Sequence, residues 1–515
     1  MHLIRKYCFL LATVLSLVGF VKTQCQDYSS FSQTLHLPFS TGRYRLPYMR
    51  PKPECRTFNS SEVEKTIVEM KDIIKDPDLY RLFENTFPNS LDTAVLWRGF
   101  AADNSKEELT FVISGDINAM WLRDSANQMR SYLSLLKPNR GFDSLASLFR
   151  GVINLQARYI ISAPFCNSFQ PPPESGLGPS KNQETPDDVY PIPDNGKVFE
   201  CKYELDSLAA FLQISTDYYE ATKDIDFFRN FQWVDAIKTV LSTTESLTAG
   251  TYAPDGSVSK CPYTWIRRST SATETLANGG CGSPVQAGIG LVRSAFRPSD
   301  DSTIYQYLIP ANMMFSSYLD SASRIMAAIE THEDIVTHMH EFSTSIRDAI
   351  TKYGIVSHAK YGDVYAYEVD GFGSINQMDD ANIPSLLSAP LIRYLNNSDP
   401  IYQNTRRFVQ SPDNPYFMRG PVINAVGGPH IGPGMAWPMA SIVRILTSDD
   451  SNEIVTVLRE IIGSTAGFGL IHESIDTFNQ YHWTRHWFSW VNGLFGQCLI
   501  DLKERKSDIL GLSFQ

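Results

Sequence analysis

The chain has 515 residues, a formal net charge of −11 and an isoelectric point near 5.5. No basic run stands out, which argues against a nucleic-acid partner, because phosphate backbones are bound by concentrated cationic faces. Aromatic residues make up 12% of the chain, a content compatible with binding of neutral carbohydrate. The length suits one very large domain or two to three ordinary ones.

The N-terminal segment, residues 1–23, has the pattern of a secretory signal peptide. Arg5 and Lys6 form a short basic start, and an apolar to weakly polar run follows from Cys8 to Val21. The alternative is a membrane anchor, but the run is short for a span of roughly 20 apolar residues. The sequence therefore predicts a protein of the secretory pathway that is secreted or held at the cell wall, with no membrane contact after cleavage.

The cysteines that remain after cleavage fit an oxidising compartment. Six of them pair locally across loops rich in Pro, Gly or Ser, which predicts the disulfides Cys25–Cys55, Cys166–Cys201 and Cys261–Cys281. Cys498 lies in an apolar helical pattern and is predicted to be a buried free thiol. Sequons at Asn59 and Asn396 predict N-glycosylation.

Helical periodicity dominates the mature chain. Residues 24–58 have little periodicity and predict an extended arm, whereas 59–515 show no composition shift and predict one domain. The predicted helices are 61–74, 78–87, 125–136, 145–161, 205–221, 226–247, 307–329, 334–353, 384–394, 405–408, 438–446, 452–462 and 487–502, with a strand or extended entry at 108–114. Roughly a dozen evenly spaced helices joined by long loops predict an all-α fold, an (α/α)6 barrel with its active site at the loop end. An irregular helical bundle is the alternative.

The segment around which the chain is organised is SGDINAMWLRDSANQMR, residues 114–130. Ser125 is a suitable N-cap, so Trp121, Arg123 and Asp124 are expected at the mouth of a helix. An aromatic face, a forked cation and a carboxylate suit a sugar ring, because the aromatic covers the C–H face while the charged groups bind hydroxyls. The alternative is a buried Arg–Asp pair beside a core tryptophan.

A first carboxylate candidate is Asp206, in the first turn of the helix predicted at 205–221. Glu204 is expected to point elsewhere, because residues two apart do not share a helix face. The ordinary interpretation of Asp206 is an acidic residue favoured by the helix dipole. A general acid would need a second effect that raises its pKa, since a helix N-terminus lowers it.

A second candidate, Glu473, lies in a loop before the aromatic segment 481–492. Arg485, just before the last long predicted helix, could bind sugar hydroxyls or orient this carboxylate. His472, His482 and His486 raise the alternative of a metal site, but their spacing does not match the paired histidines of zinc proteases.

Two further loops resemble binding loops. One presents Asp379, Asp380 and Asn382 just before a predicted helix that Pro384 can start. The other presents His430 among glycines and prolines, and the alternative for this histidine is a simple surface position. Neither loop has the lysine and hydroxyl residue that end a phosphate-binding loop.

Five motifs together resemble glycoside hydrolase family 125, and they occur in order along most of the mature chain. They are SGDINAMWLRDS at 114–125, KYELDSL at 202–208, QMDDANIPSLL at 377–387, GGPHIGPGMAWP at 427–438, and LIHES at 470–474 followed by TRHWFSWVN at 484–492. The resemblance implies an (α/α)6 exo-α-1,6-mannosidase, of a secreted eukaryotic and fungal type, that inverts configuration without a metal or other cofactor. It implies Asp206 as general acid and Glu473 as general base. It also implies a pocket for the terminal mannose made of Trp121, Arg123, Asp124, Asp380, His430 and Arg485.

The resulting hypothesis is a monomeric, secreted enzyme that removes non-reducing terminal α-1,6-linked mannose from N-glycan or mannan-type oligosaccharides. An inverting mechanism suits two carboxyls on separate hairpins, because a water must fit between the base and the sugar. The alternatives are a hydrolase of another α-glycoside, such as a glucoside, and a mannose-binding protein without turnover. Both Asp206 and Glu473 argue against the non-catalytic alternative.

Overall fold

The computed structural model describes residues 25–182 and 186–515. The predicted signal peptide, residues 1–23, lies outside the described residues. Within the described part of the chain, no helix is both long enough and apolar enough to cross a membrane.

Helices form the framework of the fold. The α-helices are α1 (Tyr28–Phe31), α2 (Ser61–Ile73), α3 (Pro77–Thr86), α4 (Asn89–Thr93), α5 (Leu122–Arg130), α6 (Leu145–Ser162), α7 (Leu205–Thr222), α8 (Ile225–Arg229), α9 (Trp233–Ser246), α10 (Ile309–Ile329), α11 (Glu333–Ala349), α12 (Pro400–Val409), α13 (Pro438–Leu446), α14 (Ser451–Gly463), α15 (Ser489–Arg505) and α16 (Ser507–Leu510). Short 3₁₀ turns occupy Pro53–Cys55, Leu133–Leu135, Pro173–Ser175 and Ala272–Glu274, and a π turn, Ile350–Gly354, extends α11.

Small antiparallel sheets are set among the helices. The strands are β1 (Val95–Phe100), β2 (Glu108–Val112), β3 (Met120–Trp121), β4 (Ser168–Phe169), β5 (Asp187–Tyr190), β6 (Val198–Glu200), β7 (Thr264–Arg267), β8 (Tyr307–Leu308), β9 (Ile355–His358), β10 (Gly362–Tyr365), β11 (Glu368–Val369), β12 (Ile375–Asn376), β13 (Phe417–Met418), β14 (Ala425–Val426), β15 (Met435–Ala436), β16 (Ser474–Asp476) and β17 (Asn479–Thr484). Each sheet pairs only two or three strands, as in β3–β4–β6 and β15–β16–β17. The chain is mostly helical, but the prediction of an all-α fold is not confirmed because it also contains these small sheets.

The buried helices pack side by side in an order that is consistent with a helical barrel. Helix α7 packs between α5 and α10, and α15 packs between α5 and α13. Almost every residue of α7 and of the first half of α10 is buried, so these helices are apolar around most of their circumference. The outer helices are α6, α9 and α11. Helix α6 packs on α7 and α11 packs on α10, while α9 packs on α6.

The inner and outer helices begin differently. Outer helices such as α2, α6 and α14 begin at a polar residue whose side chain accepts a helix N–H bond. Three inner helices, α5, α13 and α15, begin instead after an aromatic residue that makes no such bond: Trp121, Trp437 and Phe488. An aromatic residue therefore occupies the N-cap position of α5, α13 and α15, where polar residues are usual, and these three residues line one cavity.

Several predicted boundaries need correction. Helix α5 begins at Leu122, three residues before the expected N-cap, and the Ser125 hydroxyl instead donates to the carbonyl of Trp121 at 2.6 Å. The helix predicted at 384–394 is a series of turns, in which Ser385–Ser388 and Pro390–Arg393 close short hydrogen-bonded loops. The helix predicted at 226–247 is broken into α8 and α9.

The predicted disulfides are confirmed. Cys25–Cys55, Cys166–Cys201 and Cys261–Cys281 are all formed, and Cys498 is a buried free thiol in α15. The first disulfide ties down the N-terminal arm, whose Tyr28 ring meets Trp487 edge-on at 4.7 Å. Asn59 and Asn396 are exposed, as glycosylation would require.

Candidate active site

A cavity of about 520 Å³ opens where the inner helices begin. Its wall combines carboxylates, cations and aromatic rings, which are the groups that bind a polyhydroxylated ring. The lining residues are Ser114, Asp116, Ile117, Asn118, Trp121, Arg123, Asp124, Ser180, Lys181, Asn182, Phe199, Glu200, Lys202, Asp300, Asn382, His430, Trp437, Glu473, Arg485 and Phe488.

Arg123 is the charged centre beneath this cavity. Its Nη1 donates to Glu204 at 2.5 Å and to Asp206 at 3.1 Å, so both carboxylates converge on one guanidinium. The expected divergence of Glu204 and Asp206 is wrong because Glu204 is the N-cap of α7, outside its regular helical geometry. Asp124 and Asp300 lie 3.5 and 3.8 Å from other nitrogens of the same arginine. Four carboxyl groups therefore surround the single guanidinium of Arg123.

Burial, with a smaller contribution from this excess of negative charge, raises the pKa values of Glu204, Asp124 and Asp206. Burial is the main cause for Glu204, whose pKa lies well above its usual range, and the charges of Asp206 and Asp300 add to it against the opposing Arg123. Burial likewise raises the pKa of Asp124 to about 6, although Arg123 opposes it. The pKa of Asp206 is also raised, again mainly by burial. Burial therefore favours the protonated forms of these carboxyls.

Asp300 is a carboxylate of this cluster that is partly exposed at the cavity wall. Its side chain is 28% exposed, whereas those of Glu204 and Asp206 are fully buried. Burial would raise its pKa, but Lys202 and Arg123 hold the pKa below the usual range. Its carboxylate is in hydrogen-bond contact with Glu204. Its backbone has a φ of +71°, a left-handed conformation that costs a non-glycine residue energy and is frequent at active sites.

Two buried residues fix the loop that carries Asp300. The Ser299 hydroxyl donates to Asp380 at 2.6 Å, and Asn382 donates to the Pro298 carbonyl at 2.7 Å. Asp380 itself is 2% exposed and lies behind the cavity wall. The motif around 377–387 therefore contributes Asn382 to the wall, while Asp380 supports the neighbouring loop.

Glu473 lies across the cavity on the segment that enters β16. Its carboxylate accepts from the Thr484 hydroxyl at 3.0 Å and lies 3.4 Å from Arg485 Nη1. Arg485, with a φ of +45°, is also held by Asp116 at 2.8 Å through Nε. Gly115, beside Asp116, has no room for a side chain, because a Cβ would lie 2.8 Å from the Trp487 carbonyl oxygen. The β16–β17 hairpin and the turn before α5 therefore fix Glu473 and Arg485 together.

His430 stands between the two carboxylate groups. Its Nδ1 lies 3.5 Å from Asp301, on the loop that carries Asp300. Burial would lower its pKa, but the Asp301 contact and the charges of Glu473 and Asp300 raise it to about 9. The imidazole is therefore protonated at neutral pH and supplies a positive charge to the cavity.

Most of the predicted site residues meet at this cavity, and two do not line it. Trp121, Arg123, Asp124, His430, Glu473 and Arg485 all line it. Asp206 and Asp380 lie behind the wall, where each binds another charged or hydroxyl group. The three histidines considered as ligands diverge: His472 stacks on Trp483, His482 pairs with Asp476, and His486 binds the Ser29 carbonyl.

Sequence reasoning missed several lining residues, above all Asp300, Lys202 and Phe199. Asp300 lies in a long irregular loop, 251–303, where only the length of the loop indicated function. Lys202 and Phe199 flank Glu200 next to a motif that the sequence did single out. The contact between Trp121 and Phe199 was also undetectable from the sequence, because their rings meet edge-on at 5.6 Å across 78 residues of chain.

Comparisons with known proteins agree with this site. A family model described as "Metal-independent alpha-mannosidase (GH125)" matches residues 76–500. The meiotically up-regulated gene 157 protein of Schizosaccharomyces pombe is 46% identical over 488 residues, or 94% of each chain. A solved structure of a metal-independent α-mannosidase from Streptococcus pneumoniae, described as a non-productive substrate complex with α-1,6-mannobiose, is 31% identical. It has a TM-score of 0.76 and covers 87% of this chain and 99% of its own.

More distant structures share the fold alone. A family GH78 rhamnosidase from Bacillus sp. GL1 and a bacterial glucoamylase complexed with acarbose are each 12% identical, with a TM-score of 0.50. They cover 83% and 87% of this chain and 35% and 59% of their own chains. These similarities extend the helical architecture to other glycoside-cleaving proteins.

Proposed function

This chain belongs to glycoside hydrolase family 125, the metal-independent α-mannosidases, and from that premise we propose that it is an inverting exo-enzyme. Its substrate is the non-reducing terminal α-1,6-linked mannose of N-glycan or mannan-type oligosaccharides. The α-1,6 linkage is suggested by the mannobiose named for the Streptococcus pneumoniae protein. The observation that carries the proposal is a pair of cavity carboxyls, Asp300 and Glu473, held on separate loops.

Glu473 is the general base in this proposal. An inverting hydrolase needs a carboxylate that removes a proton from water as the water attacks the anomeric carbon. The Thr484 hydroxyl donates to the carboxylate and Arg485 Nη1 lies 3.4 Å from it, so both residues orient it in the cavity. Arg485 is itself fixed by Asp116, so the base cannot turn away without breaking that pair.

The general acid is Asp300 rather than Asp206. An acid must reach the glycosidic oxygen, and Asp300 faces the cavity whereas Asp206 is fully buried behind Arg123. In the free enzyme the raised pKa of Glu204 and the lowered pKa of Asp300, which is in contact with it, favour the proton on Glu204. A bound sugar removes water from the partly exposed Asp300, which raises its pKa and favours transfer of that proton from Glu204 to Asp300. Asp124, with a pKa of about 6, is the second candidate for the acid.

The remaining cavity residues bind the terminal mannose. Trp121 and Trp437 offer aromatic faces, and within the described residues their indole N–H groups have no acceptor. Arg485 and the protonated His430 can donate to sugar hydroxyls. The protein is further proposed to be a secreted monomer with glycans on Asn59 and Asn396, and its three disulfides fit a protein of the secretory pathway.

The first experiment measures mannose released from α-1,2-, α-1,3- and α-1,6-linked mannobiose, with α-1,6-linked glucobiose as the competing substrate. Release from the 1,6-mannobiose alone, with β-mannose as the first anomer seen by NMR, is the expected result. Faster cleavage of the glucobiose would contradict the substrate. Binding of mannose without any turnover would instead favour a sugar-binding protein.

The acid is assigned by dependence on the leaving group. Asp300→Asn should lose about 10²–10⁴-fold on mannobiose but far less on 2,4-dinitrophenyl α-mannoside, whose leaving group needs no proton. Glu473→Gln should lose activity on both substrates. Asp206→Asn and Asp124→Asn are the comparison variants, and a leaving-group dependence confined to either one would transfer the acid role to that residue.

A further inference from the structure

A second cavity, of about 680 Å³, continues the active-site cavity. The two share five lining residues, Ser180, Lys181, Asn182, Phe199 and Glu200. Phe199 lies at the junction, with its ring against Trp121 on the active-site side. We call this second cavity the side groove.

The side groove is a built part of the fold. One wall is the pairing of β5 with β7, in which Asp187–Tyr190 face Thr264–Arg267 in antiparallel register. Arg267 locks this wall to the groove floor, because it binds Asp187 at 2.8 Å through two nitrogens and Glu200 at 3.2 Å. The disulfides Cys166–Cys201 and Cys261–Cys281 fasten the chain next to both walls.

The segment around Ser180, which lines both cavities, is also held by specific hydrogen bonds. The buried Gln170 side chain binds both backbone groups of Ser180, accepting at 2.8 Å and donating at 2.9 Å. The Ser180 hydroxyl in turn donates to the carbonyl of Asn118, which lines the active-site cavity. The segment shared by the two cavities is therefore held against the active site.

The exposed surface of the side groove combines apolar groups with polar and charged ones, among them Lys181 and Asp188. Tyr190 and Ile192 are 45% and 87% exposed there, and Ile266 is 37% exposed. A single exposed hydrophobic side chain is normal on a protein surface. A cluster of exposed aromatic and aliphatic side chains beside the active-site cavity indicates a ligand-binding surface. Arg267 pairs with Asp187 and Glu200, and the exposed Lys181 and Asp188 carry opposite charges, so the groove presents no concentration of one sign that would select a strongly charged ligand.

We infer that the side groove binds the second and further hexose units on the reducing-end side of the scissile bond. This inference rests on the proposed function, since it assumes that a terminal sugar occupies the active-site cavity. An exo-enzyme holds that sugar at the closed end, and the rest of the chain must leave through a continuous opening. The side groove is continuous with the cavity through Phe199 and Glu200, and Tyr190 supplies a ring for a sugar face.

Binding energy gained in the groove should appear in turnover of long chains. Remote contacts of a substrate raise kcat/KM when they are retained in the transition state. The wild-type enzyme is therefore expected to cleave an α-1,6-linked mannotetraose with a higher kcat/KM than the mannobiose. The double variant Tyr190→Ala/Ile192→Ala should reduce kcat/KM for the tetraose about three- to tenfold. Its kcat/KM for mannobiose should be unchanged, because both residues lie outside the active-site cavity.

Matched controls separate this effect from general surface changes. Tyr252 is 47% exposed and Val68 is 66% exposed, and Tyr252→Ala and Val68→Ala should alter neither substrate. Equal loss on the biose and the tetraose, or no loss on either, would overturn the inference while leaving the enzyme's activity in place. Faster cleavage of a mannosylated peptide than of the free tetraose, reduced in the same way by Tyr190→Ala/Ile192→Ala, would show that the side groove binds polypeptide and would overturn the inference of a sugar chain. Absence of wild-type turnover on every mannoside would instead be a failure of the proposed function.

Discussion

Arg123 makes the strongest test of the electrostatics beneath the active site. Its replacement by methionine keeps the length of the side chain but removes the donor that binds Glu204 and Asp206. Breaking a buried ion pair by removing one partner costs about 3–5 kcal/mol. Unfolding entropy near the midpoint is about 2.1 cal/mol/K per residue, so a mature chain of roughly 490 residues loses about 1 °C in Tm per kcal/mol. Arg123→Met should therefore lower Tm by about 3–5 °C at pH 8.

The pH dependence distinguishes charge from packing. Without Arg123, the folded-state pKa values of Glu204 and Asp206 rise further above their unfolded values near 4. A carboxyl with a raised folded pKa loses stability as pH rises from its unfolded pKa through its folded pKa. The loss in Tm should consequently be smaller at pH 5 than at pH 8 when both are measured by scanning calorimetry.

A second buried arginine supplies the control. Arg297 binds Glu368 at 2.7 Å, but Glu368 also accepts from the backbone of Ile304 and Tyr305 and from Asn376. Arg297→Met should therefore show a weaker difference between pH 5 and pH 8. An equal loss in Tm at both pH values for Arg123→Met would refute the charge argument and assign its role to packing.

Three further outcomes follow from contacts around the site. Ser299→Ala removes the bond to Asp380 and should lower kcat on the order of 10- to 100-fold with little change in KM, whereas a change in KM alone would contradict a role in placing the acid loop. Replacing Cys166 and Cys201 by serine should cost about 2–4 kcal/mol, or about 2–4 °C in Tm, and an unchanged melting curve would show that the disulfide constrains nothing. His430 has a pKa raised from 6.5 to about 9, so its stabilising effect is complete below pH 6.5 and is lost as pH rises through about 9. The Tm advantage of wild type over His430→Gln should therefore be larger at pH 6 than at pH 10, and a constant difference would argue against this titration.

The sequence predicted those features that depend on short-range patterns. Cys261 and Cys281 lie 20 residues apart and do pair, and the aromatic segment after Glu473 does carry the arginine beside it. The start of α5 was misjudged, because Ser125 satisfies its hydroxyl on the Trp121 carbonyl within the first turn instead of capping the helix. A hydroxyl residue near a helix start fits both geometries, so its sequence position alone does not choose between them.

The sequence favours Asp206 as the acid and does not indicate Asp300, the residue proposed for that role, because the proposal depends on distances between remote segments. Asp206 stands in a motif at a helix start, whereas Asp300 stands in a long irregular loop, and sequence signals favour the former. The structure reverses their exposure: Arg123 reaches across and covers Asp206, while the loop supported by Asp380 turns Asp300 into the cavity. Which carboxylate is covered and which is exposed depends on the contact that Arg123 makes across the fold, and no local sequence pattern indicates that contact.

The proposed assignment of the acid role to Asp300 avoids the electrostatic conflict expected for Asp206. The positive end of a helix dipole stabilises a carboxylate, so an acid in the first turn of α7 would release its proton too readily. Asp300 lies on a loop, outside that field, and its proton is held by contact with Glu204. Burial raises the pKa of Glu204 despite Arg123 and so favours its protonated form, in a position shielded from water. In the proposed mechanism, the carboxyls at the start of α7 therefore hold the proton, and Asp300 on the exposed loop delivers it to the substrate.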